Sequence, residues 1–254
     1  MDNYSLPLLL IFLGSAALGS YFQAITGFAL GIIVLAIMIL TGAVTVADTA
    51  NALSILTFCN VSVVLPQIWR HIYWRGILLM SFGLLPGLIG GVLLLEHLSS
   101  SSSVLLRLLV GLLVISSGAF LLLRPRSLSE PSGAFSFGAS GVASGVLGGL
   151  FSLPGPPVIY HYYRQPITLT MVRATLLTTF ALISAGRLLA VASQSGLTVV
   201  SVQIGFLAVP VVAIASWAYT RFPPKLSEHT VRRGAALMLV VMGGFIVYMA
   251  MQDI

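Results

Sequence analysis

Charge is the scarcest property of this 254-residue sequence, because only 7% of its residues are Asp, Glu, Lys or Arg. Soluble domains carry about 25% charged residues, so this composition excludes an ordinary soluble protein. The hydrophobic share is 58%, the mean hydropathy is +1.06, and the apolar runs approach or exceed the roughly 20 residues of a membrane-spanning helix. The sequence therefore predicts an all-α polytopic membrane protein whose surroundings are the lipid bilayer.

Residues for metal, cofactor or covalent chemistry are scarce as well. Cys59 is the one cysteine, which excludes a disulfide framework and a cysteine-based metal site. The sequence shows no zinc-ligand cluster, phosphate-binding loop or ATPase motif, so we predict no cofactor and no ATP-driven step. Gly138-Ala139-Ser140-Gly141 fits the G-x-S-G pattern of intramembrane serine proteases. That chemistry needs a nearby histidine base, and all four histidines lie at segment ends, so we predict no enzyme.

The net charge of +6 could indicate a nucleic-acid partner. The Lys and Arg residues, however, lie mainly in short connections between apolar segments, as they do in the cytoplasmic loops of membrane proteins. We therefore predict no nucleic-acid binding. The N-terminal residues 1–5 contain no basic group, and no clear small-residue cleavage site follows them. The first apolar run is predicted to stay in the mature protein.

The apolar sequence divides into eight segments, at about 6–41, 46–69, 76–95, 104–123, 134–163, 170–193, 199–220 and 230–251. The first and fifth are unusual, because residues 6–41 are too long for one span and too short for two spans with a loop. Each of the two contains an interruption, at Gln23–Gly27 and at Ser152–Pro157. Proline ends helices, and broken backbone is tolerated in a membrane only inside protein or beside a watery cavity. Both interruptions are therefore candidate binding sites.

The chain also shows signs of an internal duplication. Landmarks recur at offsets of 124 to 128 positions: Gly27 with Gly155, Pro86 with Pro210, Arg107 with Arg233, and Gly118 with Gly244. We predict an N-terminal repeat over 1–126, a linker over 127–133 and a C-terminal repeat over 134–254. Such repeats are a recurring plan among secondary transporters.

Charge distribution indicates how the two repeats are oriented. If all eight segments cross the membrane once, the cations of the loops divide four against seven between the two faces. If segments one and five instead enter and return as hairpins, ten cations share one face and only Arg107 lies opposite. The positive-inside rule favours the second arrangement. The predicted fold is therefore two inverted repeats, each with three transmembrane helices and one broken re-entrant hairpin, with both termini outside the cytoplasm.

Opposed hairpins would bring their two tips together near the middle of the membrane. Gln23, Thr26 and Gly27 would then face Ser152, Pro154 and Gly155. Helix starts carry unpaired N–H groups and positive partial charge, which favour a small anionic substrate. The alternative is that these residues only form tight turns packed against their neighbours.

Further polar residues are candidates with competing interpretations. Arg187 lies within an apolar segment, where it would either pair with the anion or extend to the surface near Gln194. Arg173 either adds positive field to the site or anchors its helix at the cytoplasmic surface. Asp48 is the one carboxylate with a claim to a role in proton coupling. Asn51 and Asn60 either line a path or bond between helices, and we expect the second.

Three sequence elements carry a family resemblance. Residues 145–157 read Gly-Val-Leu-Gly-Gly-Leu-Phe-Ser-Leu-Pro-Gly-Pro-Pro, residues 172–175 read Val-Arg-Ala-Thr, and residues 23–28 read Gln-Ala-Ile-Thr-Gly-Phe. They resemble the Gly-rich run, the Arg-Ala-Thr element and the first-half glycine motif of the TauE/SafE family of sulfite exporter-like membrane proteins. The resemblance covers nearly the whole chain. It departs where the first half lacks a dense double-glycine run and where Leu153-Pro154-Gly155 replaces the more usual Gly-Gly.

The resemblance implies export of sulfur-containing oxyanions or organosulfonates across the bacterial inner membrane by a multi-pass protein. Together with the predicted anion site, it leads us to expect a secondary transporter that works by alternating access. An anion channel and a non-transporting assembly or sensor subunit are the alternatives. The sequence leaves open the exact substrate, the direction, the coupling ion (proton or sodium) and whether the chain forms a homo-oligomer.

Overall fold

The computed structural model describes residues 6–26, 28–42, 44–101, 103–122, 127–194, 196–221 and 228–252. Every regular element in this part is helical: α1 Leu6–Thr26, α2 Ala29–Thr41, α3 Val46–Ile68, a 3-10 turn Trp69–His71, α4 Trp74–Ser101, α5 Ser103–Leu122, α6 Ala134–Phe151, α7 Gly155–Arg164, α8 Leu169–Ser193, α9 Val199–Arg221 and α10 Glu228–Gln252. Six of these helices, α1, α4, α6, α8, α9 and α10, are long and apolar enough to cross a membrane. The predicted all-α polytopic class is confirmed.

The first apolar segment is broken between α1 and α2, and the chain turns back on itself there. A Cβ atom placed on Gly19 would lie 2.8 Å from the carbonyl oxygen of Leu30. In one continuous helix these residues, eleven positions apart, would be separated by about 16 Å. Helix α2 therefore folds back against α1, and only a glycine at position 19 permits so close an approach.

The second apolar segment is broken between α6 and α7. Helix α6 ends where Ser152 adopts a left-handed conformation with φ of 59° and donates its N–H to the Gly148 carbonyl at 2.8 Å. Helix α7 begins at Gly155, whose φ is 64°, and Pro156 and Pro157 follow in its first turn. Proline suits the start of a helix but cannot continue the preceding one, so the sequence fixes the position of this break.

Helix α7 returns along α6. The Ser140 hydroxyl donates to the Pro157 carbonyl at 3.0 Å, and the rings of Phe137 and His161 lie 4.2 Å apart at their centroids. Helices α6 and α7 therefore run antiparallel. The two helices form a hairpin whose open end lies beside the start of α6.

The segment 127–133 contains no helix and lies at the open end of this hairpin. The Leu128 N–H donates to the Arg164 carbonyl at 2.8 Å, and the Ser132 N–H donates to Oε1 of Gln165 at 3.0 Å. The segment predicted as a linker is thus fastened to the end of α7. Its role as a boundary between two repeats stays a prediction.

Contacts between helices give their relative directions. Gly83 of α4 meets Gly138 of α6, and Gly91 further along α4 meets Gly149, so α4 and α6 run parallel. Many of the glycine pairs spaced four residues apart lie at this interface, where they let two backbones touch.

Helices α5 and α10 run in opposite directions. Gly111 near the middle of α5 packs against Val247, whereas Gly118 nearer its end packs against Ala236. Helices α3 and α8 also run antiparallel. Arg187, late in α8, bonds Asn51 near the start of α3, whereas Thr175, early in α8, bonds the backbone just after α3. Helix α9 runs parallel to α3, since Thr198 bonds Asp48 and Ser216 bonds Asn60.

Candidate functional site

A small internal cavity lies where the two helix breaks meet. Its lining includes residues of the first break, the second break, α3 and α8, among them Gln23, Phe28, Thr57, Ser152, Pro154, Gly155 and Phe180. The cavity offers about 10 Å³ to the centre of a water molecule, which is about the minimum that one water needs. Residues of both breaks thus line one space, which is too small for more than about one water. The role of this space as a substrate site stays a prediction.

Gln23 contributes the polar side chain of the first break. It is only 6% exposed, and its Oε1 accepts a hydrogen bond from the Leu30 N–H at 3.2 Å. That bond satisfies one of the otherwise unpaired N–H groups at the start of α2. The other end of the same amide, Nε2, is buried and has no hydrogen-bond partner among the described residues. A buried unpaired donor beside a cavity is a favourable contact for an anion.

Ser152 contributes the hydroxyl group of the second break. Its Oγ lies 2.8 Å from Oγ of Ser54 on α3, and Ser54 also donates to the Ala50 carbonyl at 2.9 Å. The start of α7 is a poorer donor than the sequence suggested, because Pro156 and Pro157 have no N–H. Side chains must therefore supply more of the hydrogen bonding than the backbone of α7 does.

Arg187 lies fully buried behind the second break, with 0% of its surface exposed. Its Nε donates to the Gly149 carbonyl at 2.9 Å, and its Nη1 donates to Oδ1 of Asn51 at 2.6 Å and to Oγ of Ser54 at 3.4 Å. Nη2 has no partner among the described residues. The alternative in which Arg187 extends to the surface is wrong, because its guanidinium is held inside the protein.

The charge of Arg187 is not neutralised by the described part of the chain. Its three bonds go to a carbonyl, an amide and a hydroxyl, none of which carries a negative charge. An ionised group inside a membrane protein is costly and is normally paired. An anion held near Ser152 would supply the missing charge, because Ser54 bonds both Ser152 and Arg187.

The remaining predicted residues lie elsewhere. Gly27 is outside the described residues, as is the side chain of Thr26. Arg173 is exposed near the start of α8, and it is seven residues from Phe180, or about 10 Å along the helix. The structure thus brings together Gln23, Ser152, Pro154 and Gly155, places Arg187 next to them, and leaves Arg173 apart.

Asp48 lies at the start of α3. Its backbone N–H donates to the Thr45 hydroxyl at 3.1 Å, and its carboxylate accepts from Thr45 at 2.8 Å and from Thr198 at 2.5 Å. These contacts fit a helix cap with a negative charge at the positive end of the helix. They give Asp48 a structural role at a distance from the cavity.

Sequence reasoning missed Ser54, Thr57 and Phe180. The first two follow Asn51 at intervals of three residues on α3, so all three polar groups fall close to one face of that helix. This stripe was a detectable signal. Phe180 had none, because an aromatic residue in an apolar helix most often packs in the core. Asn51 bonds to α8 and to the Gly196 carbonyl, and its predicted bonding between helices is confirmed.

Among the described residues, the serine of the protease-like motif bonds to no histidine. The Ser140 hydroxyl donates to the Pro157 carbonyl, and the His161 ring nitrogen lies 3.4 Å from Nε2 of Gln165. Nucleophilic catalysis needs the serine and its base in hydrogen-bond reach. Within the described residues, the pair is therefore not arranged for that chemistry.

Two comparisons with known proteins find sequences similar to this chain. The family model of the sulfite exporter TauE/SafE matches residues 11–246. A protein of Cupriavidus necator named "Probable sulfite/organosulfonate exporter TauE" is 41% identical over 239 residues, which covers 93% of this chain and 93% of the relative. No solved structure matches the chain.

Proposed function

The chain belongs to the sulfite exporter TauE/SafE family, and from that premise we propose that it is a secondary transporter of the bacterial inner membrane. Its proposed substrates are sulfite and small organosulfonates, which it exports. The name of the Cupriavidus necator relative supports this substrate class. The charge and hydrogen-bonding groups around the cavity support it independently.

The observation that carries the proposal is the shared cavity of the two helix breaks. Gln23 of one break and Ser152, Pro154 and Gly155 of the other line the same space, although they are more than 120 positions apart in the sequence. In the proposed site the oxyanion lies between the two tips. Broken backbone at a protected interior position suits such a site.

Unpaired donors define the chemistry of the substrate. Nε2 of Gln23 and Nη2 of Arg187 are both buried without partners among the described residues. Oxyanions present several acceptor oxygens, and charge-assisted bonds from a guanidinium to such oxygens are among the strongest available. In the proposed site Gln23 donates directly and Arg187 supplies the positive charge. The Ser152 hydroxyl, whose hydrogen bonds Ser54 in the closed arrangement, turns to donate to the substrate.

Helix directions support the inverted-repeat topology over eight simple crossings. If every segment crossed once, α5 would run parallel to α10 and α3 parallel to α8, since an even number of crossings separates the members of each pair. Both pairs instead run antiparallel, as their contacts indicate. The reversal of the chain at the α6–α7 hairpin accounts for these directions and for the parallel pair α3 and α9, and it agrees with the parallel pair α4 and α6. The reversal between α1 and α2 is supported separately by the contact of Gly19 with Leu30.

We therefore retain two repeats, 1–126 and 134–254, joined by 127–133. In this arrangement the first hairpin enters from the outer face and the second from the cytoplasmic face. Ten of the loop cations then share the cytoplasmic face, as the positive-inside rule requires. A reporter active only in the cytosol, fused after Ile254, would stay inactive, and clear activity there would contradict the topology.

The small size of the cavity implies that transport requires movement. Space for about one water cannot hold an anion with three sulfonyl oxygens. The tips must therefore separate, first toward one face and then toward the other. Such alternation around a fixed central site is the usual behaviour of inverted-repeat transporters.

Flux measurement in proteoliposomes tests the function. Purified protein would be reconstituted into vesicles loaded with sulfite, taurine-like sulfonates or carboxylates, and efflux followed with and without an imposed proton or sodium gradient. We expect saturable sulfite or sulfonate efflux above the rate of protein-free vesicles. A response to one of the two gradients would identify the coupling ion, and absence of any anion flux would disprove the transporter.

Two variants test the location of the site. Ser152→Ala removes one hydroxyl. Gly155→Leu places a side chain at a left-handed position where a Cβ atom would lie 3.0 Å from Leu113 and from Leu147. We expect each to lower efflux at least about ten-fold, which corresponds to the loss of one charge-assisted hydrogen bond. Gly90→Leu is the control, because a side chain there meets open space. Normal efflux by folded Gly155→Leu would contradict the site.

The same vesicles separate the alternative functions. An anion channel would conduct without counter-transport or ion coupling, and its flux would not saturate at low substrate concentration. An assembly or sensor subunit would show no flux of any tested anion. The unneutralised Arg187 favours binding over free conduction, because tight oxyanion contacts slow the release that a channel needs.

A further inference from the structure

A second, larger cavity lies at the open end of the α6–α7 hairpin. Ser132 of the segment before α6 and Ser136 and Ser140 of α6 face the α7 side chains of Tyr160, His161 and Arg164 across it. Its volume is about 220 Å³, against the 10–15 Å³ that one water needs. We call this cavity the hairpin groove. It has room for several waters or a small oxyanion.

Arg164 is held in the groove by an aromatic side chain. Its guanidinium carbon lies 5.2 Å from the centroid of the Tyr160 ring, and its Nη1 donates to the Tyr160 hydroxyl at 3.3 Å. None of the described carboxylates forms an ion pair with it. The cation–π contact orients the group without neutralising it, so the remaining N–H groups keep their full attraction for an anion.

Hydroxyl groups of the groove complete a donor set. The Ser132 oxygen accepts from Nε2 of Gln165 at 2.9 Å, which leaves its own hydrogen free to donate into the groove. Ser136 is exposed, and its hydroxyl bonds to none of the described residues. Gln165 is 1% exposed and fixed by three further bonds. A guanidinium beside rotatable hydroxyls is a suitable receptor for sulfonyl or phosphoryl oxygens.

From this geometry we propose that the hairpin groove binds the sulfite or sulfonate group of the substrate before it reaches the two tips. The inference rests on the proposed function, in which this end of the hairpin opens to the cytoplasm. An exporter collects its substrate on that face. Positive charge around the entrance would also raise the local concentration of anions.

A phosphate group of an anionic lipid offers the same oxygens as a sulfonate. The groove lies beside exposed side chains such as Phe135, which is 91% exposed, so a headgroup could reach it from the bilayer. The experiment must therefore distinguish a dissolved oxyanion from phosphatidylglycerol. The proposal commits to the dissolved substrate.

The test compares two arginines that both stack on aromatic rings. Arg164→Gln removes the groove cation, whereas Arg70→Gln removes an exposed cation 5.9 Å from the Trp69 ring. Sulfite transport from the cytoplasmic face would be measured in vesicles of zwitterionic lipid and in vesicles containing phosphatidylglycerol. We expect Arg164→Gln to raise the KM about ten-fold with maximal rate unchanged within two-fold, and Arg70→Gln to leave both unchanged, in either lipid.

Binding of radiolabelled sulfite separates the groove from the tips. In a Gly155→Leu background, where transport through the tips is blocked, sulfite should still bind and Arg164→Gln should abolish that binding. Gln23→Leu replaces Gly155→Leu if the latter does not fold. This arm is read without flux, so failure of the groove and failure of the transport proposal are distinguishable.

Two results would overturn the proposal. One is an equal KM for Arg164→Gln and Arg70→Gln, together with sulfite binding that does not depend on Arg164. The other is retention of phosphatidylglycerol that is lost in Arg164→Gln, with sulfite KM unchanged. The second result would reassign the groove to a lipid headgroup.

Discussion

Arg187 and Asn51, 136 positions apart in the sequence, are joined by a 2.6 Å hydrogen bond from Nη1 to Oδ1. The bond crosses from α8 to α3 and fixes a fully buried guanidinium beside the second helix break. Asn51 is neutral, so the bond orients the charge without cancelling it. A carboxylate in place of this amide would give Arg187 an internal counter-ion. An external anion would then be attracted less strongly.

Asn51→Asp tests this relationship with an almost isosteric change. The new carboxylate would pair with Arg187 but lose the N–H that bonds the Gly196 carbonyl. A buried ion pair roughly balances its own desolvation, so we expect thermal stability within about 1 kcal/mol of wild type. Sulfite efflux should fall at least about ten-fold, because the substrate must now displace an internal anion. Efflux at the wild-type rate would show that the charge of Arg187 is not used.

Asn60→Asp is the matched control for that experiment. Asn60 is another buried amide of α3, and it accepts a bond from Ser216 at 3.2 Å. Within the described residues Asn60 bonds a hydroxyl and no cation, so a buried carboxylate there should lower stability. Its efflux per folded molecule should nevertheless stay near wild type. Asn51→Asp should thus change transport without stability, and Asn60→Asp should change stability without transport.

Arg187→Gln should separate function from stability. The change removes a buried charge whose insertion costs about 2.5–3.5 kcal/mol, and it sacrifices hydrogen bonds worth about 1 kcal/mol each. We therefore expect an unchanged or higher melting temperature in detergent, but efflux reduced about 10- to 100-fold. A large loss of stability with normal efflux per folded molecule would mean that Arg187 is structural.

Arg173→Gln provides the comparison on the same helix. Arg173 is exposed and does not line the cavity, so it acts on the substrate only through a field screened by water. We expect efflux to fall by less than about five-fold, with a larger effect at low ionic strength. An effect equal to that of Arg187→Gln would place Arg173 in the binding site.

Much of the fold could be predicted from the sequence, because membrane-spanning helices and their breaks leave strong patterns in it. Length and hydropathy indicated the helices, and Pro154, Pro156 and Pro157 marked the second break. Gly155 follows the same pattern, since its positive φ is the kind of conformation that glycine permits. Which helices pack together was harder to predict, because a row of glycines indicates a close contact but does not identify the partner helix.

The site was only partly accessible for a similar reason. The two breaks stand out as polar or proline-rich interruptions, whereas Ser54 and Thr57 lie in an otherwise ordinary helix. Whether Arg187 pointed inward or outward depended on its rotation about α8 and on the neighbours that receive it. Such three-dimensional information comes from packing between distant segments, and one sequence contains no direct signal for it.

Two adjacent glycines of α4 offer a sharp test of packing. A Cβ atom on Gly91 would collide with the carbonyl oxygen of Val146 on α6, whereas one on Gly90 would meet open space. Gly91→Ala should therefore lower the free energy of unfolding by about 1–3 kcal/mol. Gly90→Ala should leave it unchanged or raise it by up to about 1 kcal/mol, owing to the better helix propensity of alanine. Equal melting temperatures for both variants would contradict the parallel α4–α6 contact.

The amide of Gln23 accepts a hydrogen bond from the start of α2 and also offers an unpaired donor. Two substitutions separate these roles. Gln23→Glu keeps an oxygen that accepts from the Leu30 N–H and places negative charge at the favourable start of α2. Gln23→Leu removes both the acceptor and the donor. We expect Gln23→Glu to keep its melting temperature while efflux falls at least about ten-fold, because the unpaired donor is lost and the anion is repelled. Gln23→Leu should lose about 1 kcal/mol of stability as well. If Gln23→Glu transported sulfite normally, the first helix break would not contact the substrate, and the proposed site between two tips would have to be abandoned.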